Sequence, residues 1–148
     1  LNVNNGKDLA CGFGQKSLQQ TADSPWIDAS ALVAGAPLKL RFESAGLWPS
    51  THTARVLIRG EVGTYVELAK LPPSAAVWGK VPLDIGTWVG KIFMIRFEFA
   101  GPDCSASDGT GWFVRKLEVV VDPCAVSNGG CANQANCSAG PTGLAQCV

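Results

Sequence analysis

The sequence predicts an all-β sandwich, and three observations carry the prediction. Segments rich in β-branched and aromatic residues recur along the chain, several of them alternating apolar and polar side chains. Seventeen glycines and nine prolines among 148 residues punctuate those segments. No stretch shows a convincing long helical period.

Taken in order, Leu1 to Ala10 is Asn-rich and reads as an irregular lead-in or a short edge strand. Cys11-Gly12-Phe13-Gly14 is turn-like, and Gln15 to Gly35 favours loops, with room for one helical turn at Ala29 to Ala34. Pro37 to Glu43 is a half-buried strand, with Leu38, Leu40 and Phe42 inward and Lys39, Arg41 and Glu43 outward. Ser44 to Thr53 is a loop carrying Trp48-Pro49 and His52. Arg55 to Arg59 and Thr64 to Lys70 form a hairpin across Gly60-Glu61-Val62-Gly63, and Leu71-Pro72-Pro73 ends it. Val77 to Leu83 is a short strand that Pro82 confines to an edge or a bulge. Asp84 to Gly90 is a turn. Lys91 to Ala100 is the strongest strand, with Phe93, Ile95, Phe97 and Phe99 on one face and Arg96 and Glu98 on the other. A polar loop, Gly101 to Gly111, leads to a long final strand, Gly111 to Val121. Phe113, Leu117, Val119 and Val121 share one of its faces with Arg115, and a charge directed at a core needs a partner. Strands of this length with long crossing loops suit a jelly roll better than an immunoglobulin fold.

Formal net charge is zero, with 47% hydrophobic and 16% charged residues. That suits one ordinary core plus a small appendage and gives no reason to expect nucleic acid or an acidic membrane surface. No apolar run approaches the roughly 20 residues of a membrane helix. The chain begins at Leu1 with no signal peptide, so a processed chain or an excised fragment is expected.

The composition changes after Val121, which divides the chain into a sandwich over 1–121 and a small module over 122–148. Four of the six cysteines, Cys124, Cys131, Cys137 and Cys147, crowd that module. A segment so poor in large apolar residues needs cross-links, which implies an oxidising, extracellular compartment. A zinc site fits worse, because there is no CxxC pair and the single histidine, His52, is remote in sequence. Cys11 is left with Cys104 as its partner, tying the start of the sandwich to the loop before its last strand.

Leu38 to Glu43, Trp48, Ala54 to Ile58, Trp78, Leu83 to Gly90-Lys91, Ile95 to Phe99 and Gly111-Trp112-Phe113-Val114 follow one another as in a known group. In this order the chain resembles MAM-like jelly-roll modules and the subrepeats of reelin, over roughly Leu38 to Val121. The closing Gly-Trp strand is the most specific piece. Where that group has Asp-Asp, this chain has Arg115-Lys116, and Thr53 replaces a usual aspartate. Such carboxylates help bind calcium in several relatives, and an arginine cannot supply the hard oxygen ligands calcium needs. The resemblance with these departures implies no calcium site. Arg115 is expected near the vacated position, paired with Asp108, Asp103 or Asp28, or else turned outward by a bulge.

Cys124, Asn128-Gly129-Gly130-Cys131, Cys137 and Cys147 resemble the first four of the six cysteines of an EGF-like module. The resemblance implies the pairs Cys124–Cys137 and Cys131–Cys147. Val148 ends the chain one residue short of the family's fifth cysteine, so the module is expected to be truncated. Pro123 stands where the calcium-binding subclass has an acidic residue. Asn136-Cys137-Ser138 is formally a glycosylation acceptor, although a poor one.

No pattern of a nucleophile, base or metal cluster stands out, so a non-enzymatic chain is expected. His52 reads as a solvated loop residue, because a base needs an orienting partner and a pocket. Trp78 and Trp112 coincide with packing positions of the group the chain resembles, which implies that they are core, and Trp88 reads as a cap on the core edge. Trp48, beside Pro49 and His52, is the best ligand candidate, with Trp26 second; Asp103 and Asp108 join them as polar candidates. The function expected is extracellular recognition or adhesion within a larger secreted or surface protein, with a protein or glycan as partner. The loops Ser44 to Thr53 and Gly101 to Thr110 are the expected contact surface. The alternatives are a lectin-like module, which needs an exposed Trp48 or Trp26, and a structural spacer.

Overall fold

Alternation along the central strands builds the molecule. In a computed structural model of the chain, residues 18–32, 34–102, 111–122, 124, 130–132, 135–139 and 145–148 are described. The strands are β1 (Leu18–Asp23), β2 (Ile27–Asp28), β3 (Leu38–Leu47), β4 (Thr53–Gly60), β5 (Val66–Leu71), β6 (Ser74–Asp84), β7 (Ile92–Gly101), β8 (Gly111–Val121), β9 (Cys137–Ala139) and β10 (Ala145–Cys147). A single 3₁₀ turn, Gly86–Trp88, precedes β7. The lead-in, the expected Cys11–Cys104 bond, Asp103 and Asp108 lie outside the described residues.

Two antiparallel sheets face each other. One runs β1-β7-β4-β5, with β2 also on β7, and the other runs β6-β3-β8. Leu38, Leu40 and Phe42 of β3 meet Phe93, Ile95, Phe97 and Phe99 of β7 in one core. Phe42 lies edge-on to Phe97 with ring centroids 5.3 Å apart, and Phe97 packs on Trp112 at 5.7 Å. Edge-on aromatic pairs add to the burial energy of the rings themselves. Pro82 sits on the edge strand β6, where its missing N–H costs no ladder bond.

Three expectations are corrected. Residues 18–23, expected in a loop, form an edge strand on β7. Its Leu-Gln-Gln-Thr-Ala-Asp sequence carries no apolar alternation, and it is held by the backbone ladder. The loop after β3 is shorter than expected, since β3 runs to Leu47 and β4 begins at Thr53. On β8 the inward face is misassigned by the sequence for its first half. Glu43 pairs with Arg115 while Arg41 pairs with Glu118, so β8 holds one extra residue there, and Lys116 sits at a φ of 52°. This bulge reverses which face points inward. Trp112 and Val114 are buried before it, Val119 packs on the core after it, and Arg115 is turned out.

In the tail, disulfides join Cys124 to Cys137 and Cys131 to Cys147 and flank the β9–β10 ladder. Asp122 ties the end of β8 to β3: its N–H donates to Pro37 O at 2.8 Å and its carboxylate takes the Lys39 ammonium at 2.8 Å. It also accepts from the Cys124 N–H at 3.1 Å. No helix among the described residues is long and apolar enough to cross a membrane.

Candidate functional site

Of the residues expected to meet a ligand, Trp26, Trp48 and His52 are described, and only Trp26 lies open. Trp48 is only 4% exposed, its ring edge-on to Phe99 at 5.7 Å. His52 is 3% exposed rather than solvated, stacked on Phe99 at 5.8 Å with Thr51 Oγ1 3.1 Å from its Nδ1. Its ring fills the space above Gly101 that a side chain would otherwise occupy. Both aromatics therefore lock the β3–β4 connection onto β7. Trp78, expected in the core, is instead 37% exposed, with the Arg115 guanidinium 3.9 Å above its ring. Trp88 packs at the core edge as expected, 5.9 Å from Phe93. Trp112 is fully buried, and its indole N–H donates to Ser44 Oγ at 2.9 Å. Trp26 alone of the candidate aromatics stands open, at 45% exposure.

Two outer sheet faces remain as candidate surfaces. Across β6-β3-β8 runs a groove of about 460 Å³ lined by Arg41, Glu43, Lys80, Pro82, Lys116 and Glu118, among others. Its central charges are committed to each other. Glu43 binds Lys116 at 2.9 Å and Arg115 at 2.6 Å, while Asp122 holds Lys39 and Arg41. A ligand there would have to break existing pairs and uncover Trp78 from Arg115.

On the other face, across β1-β7-β4-β5, aromatic rings and cations alternate. Ile58 of β4 points into the core, so its neighbour Arg59 points out. Arg59 lies 5.3 Å from the Trp26 ring and 5.1 Å from the Tyr65 ring. Arg96, one β7 neighbour away, lies 4.1 Å from Tyr65 on its other contact. Arg96 is fully engaged, gripping Asp23 with two bonds of 2.6 and 2.7 Å. Further along, Arg55 pairs with Glu98, which explains how Glu98 stays buried. Arg59 differs from both. It takes part in none of the ion pairs among the described residues, and its buried Nε–H, like that of Arg55, has no acceptor. One residue beyond it, Gly60 borders a shallow depression of about 370 Å³ that Ser30, Glu61 and Lys91 also line.

The charged network has a definite pH sign. The Arg96 guanidinium holds the Asp23 carboxyl below its ordinary 3.8, Lys116 and then Arg115 do the same for Glu43 below 4.5, and Lys39 does so for Asp122. Groups with depressed native pKa values stabilise the fold above their unfolded pKa and lose that contribution as pH falls through the native one. Thermal melts should therefore be flat from about pH 7 to 5 and fall progressively below about pH 4.5. Asp23→Asn should lower the plateau and flatten that fall. A slope unchanged by the substitution would show that the Asp23–Arg96 pair contributes nothing.

Sequence reasoning found Trp26 but missed Arg59 and Tyr65. Part of the signal lay in the hairpin segment Arg55 to Arg59, whose facing was not assigned; strand alternation sets Arg59 opposite Ile58. Asp28, suggested as a partner for Arg115, instead accepts from its neighbour Ser30 at 2.9 Å. No described group of three or more His, Cys, Asp or Glu side chains is disposed to hold a metal ion. No protein-family model and no curated protein matches the chain. The class defined on structural grounds is an antiparallel β-sandwich followed by a disulfide-linked tail.

Proposed function

We propose that this chain is a non-enzymatic extracellular recognition module that binds through the Trp26–Arg59–Tyr65 face. The observation that carries the reading is an open tryptophan beside an arginine that takes part in none of the ion pairs among the described residues. Exposed Trp, Tyr and Arg clusters are the residue types that anchor binding surfaces. The two tail disulfides support an oxidising compartment. The order of strand segments supports a jelly-roll relationship to MAM-like and reelin modules, and the cysteine spacing with its pairing supports an EGF-like tail. Asp122, bonded to both neighbours of the junction, supports a stiff segment suited to adhesion. Calcium has no part in this proposal.

The lectin-like reading is kept as a second one on a specific observation, the 45% exposure of Trp26. Burial of Trp48 removes the loop version of it. The test is a multivalent form of the chain on arrays of glycans and extracellular proteins, beside Trp26→Ala and Trp78→Ala variants. Binding should fall at least about tenfold in Trp26→Ala, as expected for an anchor residue, and persist in Trp78→Ala. Loss in Trp78→Ala alone would move the site to the opposite sheet. Binding indifferent to both would sink the proposal.

A further inference from the structure

We infer that the Trp26–Arg59–Tyr65 face takes an acidic saccharide, with a sugar ring stacked on Trp26 and its carboxylate or sulfate on Arg59. The inference rests on the recognition-module reading and names its ligand class.

The comparison of two arginines carries it. Arg96 and Arg59 lie on one face and both contact Tyr65. Arg96 spends its donor edge on Asp23. Arg59 lies 5.1 Å from the Tyr65 ring, against 4.1 Å for Arg96, and is in no ion pair with a carboxylate among the described residues. Stacking covers the faces of a guanidinium and leaves its edge, the part that matches a planar oxyanion with two parallel bonds. Two ring contacts also limit the rotamers of Arg59 before any ligand arrives, so less ordering remains to be done on binding. Arg59 is half-buried, with its Nε–H buried and unbonded.

Nearby charges agree with this. Asp23, the acidic neighbour across the array, is neutralised by Arg96 and does not oppose an incoming anion. In the opposite groove Lys116 and Arg41 are shared with Glu43 and Asp122, and Lys80, which is in no ion pair among the described residues, has no aromatic ring against it there. A saccharide suits the face better than an acidic peptide, since the open Trp26 ring sits beside the cation and a pyranose offers a flat apolar face for it. Carboxylate and sulfate present the same oxyanion chemistry, and the test separates them.

The disulfide-bonded chain would be titrated with matched pairs: trigalacturonate against its methyl ester, and a sulfated glycosaminoglycan tetrasaccharide against its desulfated form. A glutamate oligopeptide is the third ligand. The acidic member of at least one pair should bind about tenfold tighter or more, with the preference shrinking as salt rises. Which pair shows the preference identifies the oxyanion. Arg59→Gln should abolish the preference, Arg59→Lys should keep only part of it, and Trp26→Ala should weaken both members. Equal binding of both members by the unaltered chain overturns the inference without recourse to any variant. So does a preference that survives in Arg59→Gln, or a glutamate peptide bound as tightly as the saccharide. A protein partner lost in Trp26→Ala while no saccharide binds would overturn the ligand class and leave the recognition module standing.

Discussion

Gly46→Ala should be among the most damaging single-methyl additions in the chain. Gly46 lies in β3 at a φ of 152°, and a Cβ built there would run into the Gly111 carbonyl oxygen and come within 3.0 Å of the Trp48 ring. The carbonyl is backbone and cannot swing aside, and Trp48 is already buried against Phe99. Backbone strain costs about 1–3 kcal/mol and forced overpacking about as much again, so a loss of roughly 2–6 kcal/mol is expected. Gly35→Ala separates the two causes. Gly35 has a φ of 86° but nothing within 4 Å of an added Cβ, so only strain should be felt, at about 1–3 kcal/mol. Urea unfolding of both variants measures the difference. Equal losses would mean that the close approach of β3 to β8 does not constrain Gly46.

Trp112→Ala should cost about 3–5 kcal/mol, since Trp112 is fully buried between the sheets against Phe97. Small domains have only about 5–15 kcal/mol in total, so this variant should be marginally folded at best. Trp112→Phe keeps most of the ring but strands the buried Ser44 hydroxyl that receives the indole N–H. That variant should lose about 1–3 kcal/mol, and the double change with Ser44→Ala should recover part of it. No recovery in the double variant would assign the whole loss to packing.

Much of the scaffold could be read from residue order because the core strands are half-buried. Leu38, Leu40 and Phe42 on β3 and the Phe93-to-Phe99 series on β7 alternate without interruption, and every one of them is buried. The outer strands were harder. Leu18–Asp23 joins β7 by backbone bonds, which leave no mark on side-chain order. The bulge in β8 was only the alternative for Arg115, because a single residue at positive φ, Lys116, reverses the alternation without a Gly or Pro to announce it. That slip put Phe113 and Arg115 on the inward face, which Val114 and Trp112, itself read as core, occupy.

The aromatic assignments show the same limit. Trp48 and His52 sit in a Pro/Ser/Thr-rich stretch that reads as exposed, and both fold back on Phe99 because Gly101 leaves room for a ring. Trp78 has the composition of a core residue yet lies on the outer face of an edge strand, covered by Arg115 across the sheet. The Trp26–Arg59–Tyr65 array joins the β4–β5 hairpin, which carries Arg59 and Tyr65, to Trp26 just before β2. β7 brings them together, pairing with β2 beside Trp26 and with β4 at Arg59–Met94.

The most direct measurement is a ¹H–¹⁵N titration that follows the indole signals of the five tryptophans while trigalacturonate and the sulfated tetrasaccharide are added in turn. The Trp26 indole should shift in a saturable way with at least one of them, together with the Arg59 side-chain signal, while the buried Trp48 and Trp112 and the Trp78 on the opposite face stay in place. A saturable shift confined to Trp78, or binding that leaves Trp26 unmoved, would contradict the placement of the site on this sheet.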